Sequence, residues 1–222
     1  ENLVVMSHTL TCLLTLNLKC SKPDSTLTAS SIAALFRIET LSDVNLGYNT
    51  HVSDAAFNIP SPNVALKHLR IHGCHNVTNQ TLKIIGTNFP SLETLDAPDT
   101  EMLHTEKLLR PTEIWKLFNN LAYVDFSSSY KIDDDFVLPL VVNNPALETL
   151  ILGKLDETEM GIVQPSAFTT KTFVHVAQYC KQLKSLSLLH SLNFGNFHSS
   201  GIHHPPPGSL PNLQNLNLSG HK

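Results

Sequence analysis

Apolar residues recur along this chain in two alternating modes. Eight short stretches follow L-x-x-L-x-L with conservative swaps. They begin at Leu13 (LLTLNL), Leu41 (LSDVNL), Leu66 (LKHLRI), Leu92 (LETLDA), Leu121 (LAYVDF), Leu147 (LETLIL), Leu183 (LKSLSL) and Leu213 (LQNLNL). Successive starts lie 28, 25, 26, 29, 26, 36 and 30 residues apart. In each stretch apolar and polar residues alternate at the fourth to sixth positions, the mark of a short strand with one buried face. The second half of a unit changes to helical spacing, as in Val77, Leu82 and Ile85, or Leu27, Ile32 and Leu35.

Polar side chains stand where helices would begin: Ser53-Asp54, Thr78-Asn79 and Asp133-Asp134. Their oxygens suit the free N–H groups of a first helical turn. NFPSL, NNPAL and SLPNL then stop each helix before the next strand, because proline cannot continue it. One unit of this length cannot bury its own apolar face. Stacked units bury a continuous core, so the expected fold is a curved α/β solenoid, with parallel strands on the concave face and helices on the convex one.

Departures from the period mark irregular places. Polar or Pro/Gly-rich insertions are expected near residues 153–167 and 193–209, the latter including HHPPP at 203–207. In TEMLHTEKLLRPTEIWKLFNN, Pro111 is expected to break a helical stretch, and Trp115 to lie in the core beneath it. The array fills residues 1–222 and reads as incomplete at both ends, so a signal or catalytic segment would lie outside it.

Bulk composition changes this picture little. The chain has 222 residues, 41% hydrophobic and 15% charged, with a net charge of −4. Neither nucleic acid nor a membrane surface is an expected partner, and no apolar run is long enough to span a bilayer. Four cysteines (Cys12, Cys20, Cys74, Cys180) are too scattered for a disulfide framework, which favours a reducing compartment. Sequons at Asn76, Asn79 and Asn217 point weakly the other way.

The densest candidate chemistry is LKHLRIHGCH, with His68, His72, Cys74 and His75. On a strand, His68 and His72 would stand about 13 Å apart, too far to share one zinc ion. Cys74 is expected to point inward toward the turn backbone, which suits a structural thiol better than a nucleophile or metal ligand. Asp133 to Asp135 read as a helix cap before a cation site. No phosphate-binding, nucleophile-elbow, zinc-protease or dinucleotide pattern occurs, so neither cofactor, metal nor catalytic residue is expected.

LKHLRIHGCHNVTNQTLKIIGTNFPSLETLDA, residues 66–97, resembles the cysteine-containing leucine-rich repeat, L-x-x-L-x-L-x-x-C-x-x-(I/V)-T-(D/N)-x-x-L. Cys74 stands at the first consensus cysteine and Cys180 at the one ending the helix. Asn49, Thr100 and Ser129 replace the first elsewhere, and Phe89 and Asn144 lie near the second. The subtype is similar to that of F-box leucine-rich-repeat proteins, including the fungal mitotic-exit antagonist type. The resemblance implies a ribonuclease-inhibitor-like solenoid that binds protein substrates for an SCF-type ubiquitin ligase, in cytoplasm or nucleus. A Skp-type adaptor would dock on an F-box outside these residues. A non-ligase scaffold or regulator (an enzyme inhibitor or GTPase regulator) and an extracellular receptor are the alternatives.

Recognition is expected on the concave lane, where third, fifth and seventh positions of each unit face away from the core. The candidates there are Asp43, Asn45, His68, Arg70, His72, Asp96, Tyr123, Asp125, Ile151 and Leu189. His68, Arg70 and His72 form a basic spot between acidic neighbours, with Arg70 and Asp96 expected to pair across strands. Tyr123 is an aromatic anchor, and Ile151 with Leu189 makes an apolar end.

Overall fold

The computed structural model describes residues 2–20, 27–100, 102, 110–129, 131–153, 167–189 and 206–219. Each of the eight L-x-x-L-x-L stretches forms a strand starting at its third position. They are β1 (Thr15–Asn17), β2 (Asp43–Asn45), β3 (His68–Arg70), β4 (Thr94–Asp96), β5 (Tyr123–Ser127), β6 (Thr149–Gly153), β7 (Ser185–Leu189) and β8 (Asn215–Asn217). All pair in parallel and in sequence order within one sheet. The register sets third position against third and fifth against fifth throughout, as in His68↔Thr94 and Arg70↔Asp96.

That register follows from the buried face. Side chains alternate along a strand, so a slip of one residue would turn every core leucine outward. Leu41, Val44 and Leu46, then Leu66, Leu69 and Ile71, and so on through Leu183, Leu186 and Leu188, are all buried. The terminal units differ: Leu186 is 1% exposed, whereas its register partner Leu216 on β8 is 49% exposed.

Helix α1 (Asn2–Thr9) precedes β1, and between strands run α2 (Ala29–Leu35), α3 (Asn79–Asn88), α4 (Pro111–Trp115), α5 (Asp134–Asn143) and α6 (Thr170–Tyr179). Thr28, Thr78, Asp133 and Thr169 cap the N-termini of α2, α3, α5 and α6, each accepting a backbone N–H of the first turn. The unit after β2 departs from expectation: it holds only a 3-10 turn, Asp54–Phe57, and Ser53 makes no side-chain cap bond there. Pro60 and Pro62 follow within a few residues. They remove donors and push their predecessors to extended backbone, so no longer helix can form.

Pro111 occupies the first turn of α4 and starts that helix, where a missing N–H costs nothing; the stretch it is expected to break lies at 103–109, outside the described residues. Trp115, expected in the core, is fully buried against Phe118, Phe126 and Phe136. The insertions expected near 153–167 and 193–209 lie mostly outside the described residues, as do 103–109 and His203 to Pro205. No described helix is long and apolar enough to cross a membrane.

Candidate functional site: the concave lane

Two rows of side chains project from the open face of the sheet. The third-position row runs Thr15, Asp43, His68, Thr94, Tyr123, Thr149, Ser185, Asn215. The fifth-position row runs Asn17, Asn45, Arg70, Asp96, Asp125, Ile151, Ser187, Asn217. With strands about 4.8 Å apart, the lane is roughly 35 Å long.

Sequence candidates on β2 to β5 meet here in one cluster. Arg70 Nη1 lies 2.5 Å from Asp43 Oδ1, a diagonal pair across β2 and β3. The expected pairing with Asp96 is therefore not the ion pair that forms, although Arg70 sits near enough to favour the Asp96 charge. His68 Nδ1 is 2.9 Å from Thr94 Oγ1, which holds the ring across β3 and β4. His72 Nδ1 approaches Asp96 Oδ2 at 3.9 Å. Burial lowers the His72 pKa, helped by the Lys19 and Arg70 charges, so at neutral pH this contact joins a carboxylate to a neutral imidazole.

Asp96 and Asp125 stand directly opposite each other on β4 and β5. Burial, reinforced by the Asp125 charge, pushes Asp96 up to about 6. Burial also raises Asp125, against the opposing hydrogen bonds from Ser127 and Tyr123. Tyr123 itself is driven up to about 12 by burial and by the two aspartates. Asp125 makes no ion pair among the described residues. Adjacent carboxylates taken out of water in this way disfavour one another's charge, and such groups concentrate at functional sites.

Tyr48 was not visible as a candidate in the sequence. It is half exposed, stacks edge-on against the His72 ring (centroids 4.9 Å apart) and carries Lys19 Nζ 5.3 Å over its face. Tyr48 stands at the eighth position of its unit, as do Gly73, Asp99 and Ser128, and all four have left-handed backbones. The phenol ring occupies the space a Cβ on Gly73 would need, and the His72 ring does the same at Gly47. The signal was the positional match of Tyr48 with Gly73 in the next unit.

The seventh positions divide: Gly47, Ser127, Gly153 and Leu189 are buried, the last three while still paired within the sheet, whereas Lys19 and Ser219 are exposed and His72 and Pro98 are partly exposed. Leu189 still lines one wall of a shallow depression of about 650 Å³, together with Ile151, Asp125, Ser187 and the residues of β8.

The His/Cys cluster of residues 68–75 divides between two faces. Cys74 Sγ points inward and donates to the Leu46 carbonyl at 3.3 Å, and burial pushes its pKa to about 11. Cys180 is likewise buried, at about 12. Asn49, at the same repeat position as Cys74, donates to Leu18 and Leu46 carbonyls. No described group of three or more His, Cys, Asp or Glu side chains is placed to hold a metal ion.

An ordered parallel sheet with interior turn-bonding residues and outer helices defines the class: an α/β leucine-rich-repeat solenoid. No family model matches the sequence, and no curated protein matches it. Solved structures do. Internalin F of Listeria monocytogenes superposes with a TM-score of 0.59 at 16% identity, over 96% of this chain and 49% of that one. A chain of the Drosophila Toll–Spatzle complex gives 0.54 at 13% identity, over 98% and 28%. A chain of the yeast Rad7–Elc1 complex gives 0.51 at 16% identity, over 87% and 61%. The chain thus spans from about a quarter to under two thirds of these structures, and what they share with it is the fold.

Proposed function

We propose that this solenoid is a non-enzymatic protein-recognition module, and that it is the substrate-binding part of an SCF-type ubiquitin ligase acting in ubiquitin-dependent degradation in cytoplasm or nucleus. The observation carrying the recognition reading is the half-buried charged cluster of Asp43, Arg70, His72, Asp96 and Asp125 on one open sheet face. Core packing does not require these charges, and two of them are disfavoured where they stand. A lane of this length accommodates a standard protein–protein footprint. Two of the similar folds, from the Toll–Spatzle and Rad7–Elc1 structures, come from complexes between proteins. The ligase assignment rests on the cysteine-containing repeat subtype.

Two measurements test these levels separately. Co-purification of the full-length protein with a Skp-type adaptor is expected, and its absence rejects the ligase role in favour of a scaffold or regulator. Charge reversal by Arg70→Glu or Asp96→Lys is expected to weaken partner binding about tenfold or more, by removing a desolvated charge contact. Circular dichroism should stay unchanged. Wild-type affinity in both variants would remove the concave lane as the binding face.

A further inference from the structure

The fifth position of the repeat has a structural duty that does not need charge. Asn17, Asn45 and Asn217 each accept, through Oδ1, the N–H two residues on: Lys19, Gly47 and Ser219, all at 3.0 Å. This bond closes the turn at the strand end. Asp125 makes the same bond to Ser127 N at 2.8 Å. Asparagine therefore serves this turn in three units, and Asp125 adds a negative charge that the turn does not use. That charge is 9% exposed, faces Asp96 on the next strand and lacks an ion-pair partner among the described residues.

Asp125 also lies at the end of the depression whose other walls include Ile151 and Leu189. Ile151 is in register with Asp125 on the neighbouring strand, and Leu189 lies one strand further and two residues along, in register with Gly153. A side chain lodged between them would sit roughly 8 Å from Asp125, at about 4.8 Å per strand and 3.4 Å per residue. In an extended peptide, side chains two residues apart point to one face and are separated by a comparable distance, about 6.8 Å.

Resting on the reading of the lane as a recognition surface, we infer that this depression is the subsite for an extended partner segment with an apolar side chain two residues from a lysine or arginine. The apolar group fills the space between Ile151 and Leu189, and the cation meets Asp125 with Asp96 behind it. Charge complementarity selects this occupant. Two opposed carboxylates strongly favour an arriving cation, whereas an acidic segment would add a third like charge. Arg70, the nearest lane cation on the Asp96 side, is already engaged by Asp43.

The test uses a Gly/Ser peptide with Lys-Ser-Leu-Ser-Lys at its centre, which offers the motif in either chain direction. Its controls carry Glu-Ser-Leu-Ser-Glu or Lys-Ser-Ser-Ser-Lys. Binding is followed by fluorescence anisotropy, and its location by amide shifts of the isotopically labelled chain. Saturable binding of the first peptide is expected, about tenfold tighter than either control, with shifts centred on Asp125, Ile151 and Ser187. Asp125→Asn, which keeps the turn acceptor, should abolish the preference for lysine over glutamate while retaining the leucine dependence. Ile151→Lys should abolish binding. Equal affinity for the lysine and glutamate peptides, no saturable binding, or shifts elsewhere would each overturn the inference. So would self-association abolished by the same variants, which assigns the depression to a second copy. A protein partner weakened by Arg70→Glu yet indifferent to Asp125→Asn and Ile151→Lys rejects this subsite alone. One indifferent to all three rejects the lane itself.

Discussion

Tyr48 holds a bulky side chain on a left-handed backbone, φ 58, that L residues other than Asn and Asp rarely adopt. Its ring is held by His72 and by the bare Cα of Gly73, so the strain is offset within two units. Gly73→Ala adds a methyl into the phenol ring at φ +65. We expect it to cost roughly 1–2 kcal/mol by denaturant unfolding, with Tyr48→Ala in the same chain relieving the overlap but not the backbone strain. Asp96 yields a pH test. Its folded carboxyl titrates near 6 against an ordinary 3.8, so the stability gained by protonating it is complete below 3.8 and lost as pH rises through 6. Asp96→Asn should therefore stabilise the protein at pH 7.5, and that advantage should shrink steadily as unfolding is repeated from pH 6 down to 4. Thiol reactivity separates the cysteines: iodoacetamide should label exposed Cys12 in the native protein and reach Cys74 and Cys180 only on unfolding, as read by mass spectrometry. At this scale the inward direction of Cys74 was legible, because a small donor at a turn between buried leucines has one place to point. The partner of Arg70 was not. Register puts Asp96 beside it and Asp43 on the diagonal, and only the folded side-chain packing selects between them.

Among the described residues, successive elements are joined by a device that appears twice. Asp54 Oδ1 and Oδ2 accept from Thr78 N (2.8 Å) and Thr78 Oγ1 (2.7 Å), and Asp54 also accepts from Thr81 Oγ1. Asp134 does the same for Thr169 and Thr172, taking both backbone N–H groups and both hydroxyls. In each case the first residue of one helical segment clasps the N-cap and third helical residue of the next. Asp134→Ala should lower stability by about 1–3 kcal/mol, because it strands several donors at once. Amide exchange should accelerate first in α6, whose opening turn depends on the clasp. Uniform exchange across all helices would contradict that role. The sequence showed Asp133-Asp134 as a cap, and Asp133 does accept from Phe136 N at 2.9 Å. The clasp to a helix 35 residues away could not be read, since it depends on how adjacent units align.

Across the whole molecule each unit touches mainly its neighbours, so stability is approximately a sum of units and interfaces. Leu95 lies at the middle of the sheet with no exposure, and Leu216 lies at its end, half exposed. Leu95→Ala should cost about 3 kcal/mol and broaden the denaturation transition as the halves uncouple, whereas Leu216→Ala should cost under about 1 kcal/mol. Equal losses would show that the array unfolds as one indivisible body. The end strands also explain why the lane is best defined from β2 to β7, where both neighbours are present.

What the sequence determined by itself was the solenoid: eight strands, their order, their register and the rows of side chains on the lane. A period near 26 residues can bury its leucines in only one stacked arrangement, and a slip of one residue would expose them all. It also placed Asp43, Arg70, Asp96 and Asp125 on one face. Only the tertiary structure decided which of them are neutralised. Arg70 turns to Asp43, burial and the Lys19 and Arg70 charges keep His72 neutral, and Asp96 faces Asp125 with both carboxyls raised. Those outcomes depend on desolvation and on rotamers chosen between strands, quantities that a repeat pattern does not carry.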